Sequence, residues 1–245
     1  MEIESERYHL RWAGVVGLLP LPAMIIGFAI GQFPWPDDNL GGRTYLNYEL
    51  GNHFGEIGTL VWLTLTGASV VFVWLLGIAY LRHARTVTLS GVAMIGGAAA
   101  SAGTAVVFAS SFVTIAITGR GYPGFAQGDE RADLMVMTYS WNLTEICFAL
   151  NTALLGLIWC AVAAAHRRDA AVLPAPLGRA AALVAVIDLT SLVSLFVPTG
   201  PWSPGSVLNV LPGAAATYIW IMVAAVILMR RNGLPSRTRA VAAVH

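Results

Sequence analysis

Charged residues are scarce in this sequence. Only 11% of the 245 residues are Asp, Glu, Lys or Arg, whereas a soluble domain carries about 25%. Hydrophobic residues make up 57%, and the mean hydropathy is +0.69. Because so few charges cannot cover a surface that faces water, we predict that a lipid bilayer surrounds the chain. The net charge of +1 and the lack of a basic stripe exclude a nucleic-acid partner.

Lysine is absent, and cysteine is nearly so. All 14 basic residues are arginines, from which no function can be inferred. Cys147 and Cys160 lie in one predicted helix, about 20 Å apart along its axis, so they cannot form a disulfide with each other. Zinc, P-loop, dinucleotide and nucleophile-elbow motifs are also missing. The sequence therefore predicts neither a metal site nor a cofactor.

Six apolar stretches are each long enough to cross a bilayer, which takes about 20 residues. We place them at 12–32, 57–81, 89–118, 134–165, 177–197 and 207–229. The sequence therefore predicts an all-α bundle of six transmembrane helices over 12–230. A cytoplasmic segment, 1–11, precedes it, and a disordered cytoplasmic tail, 231–245, comes after it. Pro20 and Pro22 are expected to kink the first helix.

The arginines predict the orientation of the bundle. Eleven arginines flank the predicted spans on one side, whereas the other side carries three: Arg43, Arg120 and Arg131. Basic residues are enriched in cytoplasmic loops. We therefore predict that both termini are cytoplasmic. The side with three arginines is called the outer side below.

Two outer loops carry local signals. The segment from Arg43 to Phe54 is predicted to form a short helix on the outer surface, with Tyr45, Tyr48 and Phe54 directed inward. In the second outer loop, Asp133 is predicted to be the N-cap of the fourth transmembrane helix.

Two carboxylates, Glu145 and Asp188, fall inside predicted spans. A charge at the bilayer centre costs about 2.5–3.5 kcal/mol, so such residues are functional candidates. Each lies about 13 Å below the outer end of its predicted helix, at about 1.5 Å per residue. Because a short connection makes these helices antiparallel neighbours, we predict that the two carboxyls face each other. No arginine in the predicted spans lies near the depth of the two acids, so they are protonated, share a proton, or bind a cation or a cationic ligand.

Other polar residues reach the same predicted depth: Thr66, Ser110, Ser111 and Thr217 on other helices, and Asn142 and Asn151 one to two turns either side of Glu145 on its own helix. Together with the two acids they predict a polar pocket, open to the outer side, for a small molecule or a cation. The alternative is that protonated acids only join the helices by hydrogen bonds. His53 and Glu56 are predicted at the outer mouth of the second helix, as a solvated pair or as a lid or proton relay above the pocket.

The third predicted helix, 89–118, is rich in small residues. Gly97 and Ser101 form one small-xxx-small pair, and Ala99 and Gly103 form another. Such pairs let helices approach closely. They favour either close packing inside the bundle or a homo-oligomer seam, and the sequence does not separate the two.

One pattern of motifs is familiar. Gly27-Phe28-Ala29-Ile30-Gly31, Pro36-Asp37-Asp38 and Tyr45-Leu46-Asn47-Tyr48 precede an apolar helix that ends at Leu81-Arg82. This layout resembles a family of uncharacterised six-helix actinobacterial membrane proteins, classed as a domain of unknown function. The resemblance extends over the general layout of the whole chain. It implies the topology and a location in the inner membrane of a bacterium, but neither an activity nor any site residue.

Three functions stay open at this point. The first is a transport or ligand-binding membrane protein, with Glu145 and Asp188 as protonatable ligands. The second is a membrane-embedded enzyme, similar in class to terpene cyclases, whose acids protonate a lipid or isoprenoid. There the faces of Trp141, Phe148 and Trp220 would stabilise a carbocation. The third is a non-catalytic partner or assembly subunit, in which the acids only pack.

Overall fold

The computed structural model describes residues 2–30, 41–84, 88–120, 130–168, 172–197, 200–203 and 206–233. Within these ranges the chain forms eight α-helices and one 3₁₀ helix, η1. Their bounds are α1 Glu2–Val16, α2 Pro20–Ile30, α3 Gly42–Asn52, α4 Phe54–Ala84, α5 Leu89–Arg120, α6 Glu130–Arg168, α7 Ala175–Leu189, η1 Thr190–Phe196 and α8 Val207–Gly233. Most of the predicted tail, 234–245, lies outside the described residues.

Six segments are long and apolar enough to cross a membrane. They are Tyr8–Ile30, Phe54–Arg82, Leu89–Gly119, Arg131–Arg167, Ala175–Phe196 and Leu208–Arg231. The predicted all-α fold with six spanning helices is therefore confirmed, and the chain is a multi-pass membrane protein. The first span begins before residue 12 because α1 already starts at Glu2.

The first span is broken, as its prolines predict. α1 ends at Val16, and α2 begins at Pro20, where a missing N–H costs no helical hydrogen bond. Hydrogen bonds continue through the break, since the Gly17 amide donates to the Ala13 carbonyl at 2.9 Å. The first span is therefore two helices joined by a tight turn.

The fifth span changes its helix type part-way along. α7 ends at Leu189 and continues directly as η1. Two serine hydroxyls donate to carbonyls three residues earlier, Ser191 to Asp188 and Ser194 to Ser191, both at 2.6 Å. These bonds fit the three-residue turn of a 3₁₀ helix, which rarely runs beyond about four residues and often marks a functional hinge. With seven residues, η1 is unusually long.

The spanning helices form a closed ring. α4, α5, α6, α7 and α8 are neighbours in chain order, and α1 packs against both α4 and α8. α6 has 39 residues, about 58 Å at 1.5 Å per residue, so it exceeds the ~30 Å hydrocarbon core. Because α6 already begins at Glu130, Asp133 lies inside the helix. The prediction that Asp133 is its N-cap is wrong, since the good helix formers before it extend the helix outward.

The short outer helix is present as α3, directly before α4, which confirms the prediction. Tyr45 is fully buried, and its ring stacks on Trp141 with centroids 4.7 Å apart and planes at 7°. Buried Glu49 accepts a hydrogen bond from the Gly55 amide at 2.7 Å. This bond satisfies one of the free N–H groups at the start of α4. α3 therefore anchors to α6 by a ring and to α4 by a carboxylate.

Candidate functional site

Asp188 lies near the end of α7, with none of its surface exposed. Its Oδ2 accepts a hydrogen bond from the Thr217 hydroxyl on α8 at 2.5 Å. The Thr217 oxygen in turn accepts one from the indole Nε1–H of Trp159 on α6 at 2.8 Å. The other carboxyl oxygen, Oδ1, is also buried and has no hydrogen-bond partner within the described part of the chain. Three helices therefore converge on a carboxyl that uses one of its two oxygens.

Two glycines make room for this carboxyl. A Cβ atom at Gly156 of α6 would lie 3.1 Å from the Asp188 Cβ, and one at Gly213 of α8 would lie 3.2 Å from Oδ1. The backbones of α6 and α8 can approach Asp188 closely only because these positions lack side chains. Pro212, inside α8, removes a helical N–H next to the second glycine.

No positive charge compensates Asp188 among the residues that the structure describes. Its carboxyl forms no ion pair there, and the Thr217 hydroxyl is the donor that reaches it. An uncompensated charge in a bilayer core costs about 2.5–3.5 kcal/mol. This geometry suits a carboxyl that takes up a proton more than one that keeps a permanent charge.

Glu145 lies on α6 with 5% of its surface exposed. Its Oε1 accepts a hydrogen bond from Trp141 Nε1 at 2.9 Å. Trp141 is packed between Tyr45 and Phe54, whose ring centroids lie 4.7 and 4.5 Å away. Further rings continue this outer aromatic cluster: Tyr48, Trp62, Phe108, Phe112 and Phe148. Glu145 therefore lies beside the packing that holds α3 on the bundle.

The two acids do not face each other, so that prediction is wrong. Asp188 lies beside Gly156, and Ser191 donates to the Ala149 carbonyl at 3.0 Å. Glu145 lies about 16 Å outward of Gly156, taking 1.5 Å for each residue of α6. The sequence-based depth took the outer ends of both helices as level, but α6 extends further outward. Since both acids are buried, the structure does not join them in one open pocket.

The side-chain amide of Asn151, which was predicted for the pocket, contacts neither carboxylate. Asn151 Oδ1 accepts hydrogen bonds from Ser101 at 2.5 Å and Thr104 at 3.1 Å, both on α5. Thr66 of α4 lines a small gap together with Asn151 and Thr104. This group joins α5 to α6 and does not include either carboxylate.

The remaining residues predicted for the pocket do not come together at one site either. Ser111 accepts a hydrogen bond from Thr144 at 2.8 Å, and Ser110 donates within its own helix. Asn142 is half-buried and joins neither acid by a hydrogen bond in the described chain. Thr217 alone among the predicted partners contacts Asp188.

His53 and Glu56 lie together at the outer end of α4, as predicted. The distance from His53 Nδ1 to Glu56 Oε1 is 3.6 Å, and the histidine side chain is 67% exposed. His53 adopts a left-handed φ of 51° where the chain turns from α3 into α4. Their role as a lid or proton relay stays a prediction.

Sequence reasoning missed three buried polar residues: Trp159, which donates to Thr217, and Ser194 and Asn209, which lie outward of Asp188 on η1 and α8. Each is at least 96% buried. Ser194 comes after Asp188 at twice the three-residue period of a 3₁₀ helix, which is the signal that could have revealed it. Asn209 lies four residues before Gly213 and so shares its face of α8.

The small residues of α5 serve two different faces. A Cβ atom at Gly97 would lie 2.5 Å from Ile158 of α6, and Ser101 bonds to Asn151, so this pair packs inside the bundle. Ala99 and Gly103 lie on the exposed face. A Cβ atom at Gly103 would meet nothing within 4 Å.

In comparisons with known proteins, no family model, no curated protein and no solved structure matches this chain. The resemblance to a six-helix family therefore stays a prediction. Across the described ranges, no group of three or more His, Cys, Asp or Glu side chains is placed to hold a metal ion. The functional case rests on the geometry around Asp188.

Proposed function

We propose that this protein binds and releases a proton at Asp188 as part of a transport or ligand-binding cycle in a bacterial inner membrane. The supporting observation is the buried Oδ1 that has no partner in the described chain. A carboxyl that only joins helices is expected to use both oxygens, because an unsatisfied buried polar group costs about 1–3 kcal/mol. Retaining such a group is consistent with a second state in which Oδ1 is satisfied.

Interrupted helices beside Asp188 support the same proposal. Transporter sites lie where spanning helices are discontinuous, near the bilayer midplane. Here α7 gives way to η1 one residue after Asp188, and Pro212 removes one backbone hydrogen bond inside α8 next to Gly213. Small movements at these two points would change the surroundings of the carboxyl and thereby its affinity for a proton. The ligand carried with the proton would be a small molecule or a cation.

The geometry favours this proposal over an enzyme acting on lipids or isoprenoids. Such chemistry needs an acid and carbocation-stabilising rings around one substrate. Trp141 and Phe148 belong to the outer aromatic cluster near Glu145. Trp220 instead packs against Trp159, with centroids 4.6 Å apart, on the Asp188 side. The three rings therefore do not surround one acid.

We also propose that the protein forms a homo-oligomer through the exposed face of α5. Within the most apolar window of its span, 28% of α5 is buried in the chain, against 61% for α6. The open position at Gly103 would let a second α5 approach closely. Light scattering of detergent-solubilised protein tests this: Gly103→Leu should shift the mass to the monomer, whereas Gly67→Leu, at an open position on α4, should not. A monomeric wild type would overturn the proposal.

The proton site can be tested by infrared difference spectroscopy between acidic and alkaline buffer, on protein in lipid. We expect a pH-dependent carboxylic-acid C=O band in the wild type and its loss in Asp188→Asn. The matched control is Glu145→Gln, which replaces the other buried acid and should keep that band. A wild type without a pH-dependent band, or a band that survives in Asp188→Asn, would show that Asp188 does not exchange a proton.

A further inference from the structure

Outward from Asp188, polar side chains are buried on both η1 and α8. Asp188, Ser191 and Ser194 are three residues apart, so they share one face of the 3₁₀ helix, and each is at least 98% buried. On α8, Asn209 is 4% exposed and lies one turn outward of Gly213, the position next to Oδ1. Each step outward is about 6 Å on either helix. Ser191, Ser194 and Asn209 are called the outer seam.

Inward from Asp188, the same surfaces are apolar. The buried face of α7 continues with Ala185 and Ala181, and that of α8 continues beyond Thr217 with Ile221 and Ala224. A buried water needs two to four polar partners, and these side chains offer none. Polar side chains therefore line the outer side of Asp188, whereas apolar side chains separate it from buried His166, which packs against Gly178 of α7 on the cytoplasmic side.

We infer that Asp188 exchanges its proton with the outer side along the outer seam, and that η1 is the gate of this route. This inference rests on the proton-binding role proposed above. The gate is closed in the structure because the seam hydroxyls are engaged with carbonyls. The Ser191 hydroxyl has one proton and lies within donating distance of two carbonyls, those of Asp188 and Ala149, and Ser194 donates to the Ser191 carbonyl. Closed hydroxyls of this kind cannot pass a proton on to the carboxyl.

Conversion of η1 to an α-helix supplies the opening movement. A 3₁₀ helix rises about 2.0 Å and turns about 120° per residue, whereas an α-helix rises about 1.5 Å and turns about 100°. Over the six steps from Thr190 to Phe196, the conversion shortens the segment by about 3 Å and rotates its end by about 120°. Ser194 would then leave its carbonyl and face a new side of the seam. The seven-residue 3₁₀ segment is the element with two forms that a gate requires.

Accessibility of single cysteines tests the route. The background replaces Cys147 and Cys160 with alanine, and Ser194→Cys, Ser191→Cys and Ala181→Cys are then added one at a time. Each is treated with a membrane-impermeant cationic methanethiosulfonate, from the outer side in right-side-out vesicles and from the cytoplasmic side in inverted ones. Val193→Cys is the matched control, because Val193 neighbours Ser194 but is 47% exposed on the lipid-facing surface. Thermal unfolding checks that every variant is folded.

The thiolate is the form of cysteine that reacts, and an apolar environment suppresses it. If the seam becomes hydrated, Ser194→Cys should therefore be modified from the outer side at least about tenfold faster than lipid-facing Val193→Cys. Ser191→Cys should react more slowly than Ser194→Cys, and Ala181→Cys should stay unmodified from both sides. Equal rates at positions 193 and 194, or modification of Ala181→Cys from the cytoplasmic side, would overturn the route. This pattern is independent of the infrared result, so a failed proton site and a failed route can be told apart.

Discussion

Thr217 holds the polar group around Asp188 together, so Thr217→Val is the most direct perturbation of it. The substitution keeps the side-chain shape and removes the hydroxyl. Asp188 then loses its donor, and the Trp159 Nε1–H loses its acceptor. At about 1–3 kcal/mol for each orphaned buried group, the loss of stability reaches about 2–6 kcal/mol. Hydrogen bonds between membrane helices average about 0.6 kcal/mol, so two lost bonds set a floor of about 1.2 kcal/mol.

The assay is reversible unfolding in mixed micelles, monitored by circular dichroism. Thr152→Val is the control, because the Thr152 hydroxyl donates to the Phe148 carbonyl of its own helix and its removal leaves Asp188 unchanged. Trp159→Phe completes a double-mutant cycle, in which the cost of Thr217→Val should fall once the indole N–H is gone. If Thr217→Val costs no more than Thr152→Val, the three-helix contact does not stabilise the bundle and the reasoning fails.

Three further predictions concern other helices. Gly97→Val should lower the free energy of unfolding by about 1–3 kcal/mol, because the new side chain would overlap Ile158. Gly67→Val is the control and should change it little, since a Cβ there meets nothing within 4 Å. Equal effects of the two variants would contradict the packing of α5 on α6. Glu49→Ala should cost about 1 kcal/mol by uncapping α4, and Glu49→Gln, which keeps an acceptor, should cost less in the same unfolding assay. Burial, and to a smaller extent the neighbouring Glu49, raises the pKa of Tyr48 to about 12. The folded state therefore holds the phenol proton more tightly than the unfolded state does. As a result, the free energy of unfolding should fall as pH rises from about 10 to about 12. Tyr48→Phe should remove that decline in a pH series of melting curves. If the decline persists in this variant, a group other than Tyr48 causes it.

The spanning helices could be predicted because the bilayer imposes length and apolarity on each one separately. The kink at Pro20 and the inward rings of α3 were also readable, since each depends on neighbours in the chain. Asp133 was misread because hydropathy marks the hydrocarbon boundary, whereas the end of α6 lies beyond that boundary and depends on the helix propensity of the polar residues there.

The candidate site was only partly predictable. Asp188 and Thr217 were found because a carboxylate and a hydroxyl are conspicuous in apolar helices. Their separation from Glu145 depends on how far α6 slides past α7, and sequence periodicity fixes the face of a helix but not its axial offset. The 3₁₀ form of η1 likewise depends on serine–carbonyl bonds, which the residue types allow but do not require.

The closed ring of spanning helices has a consequence for biosynthesis. α1 leaves the ribosome before α4 and α8, yet its place between them is complete only once α8 has been inserted. Until then α1 lacks its neighbour on the α8 side, so the nascent bundle remains an open arc. A chain truncated before α8 would leave α1 without one of its two neighbours in the ring.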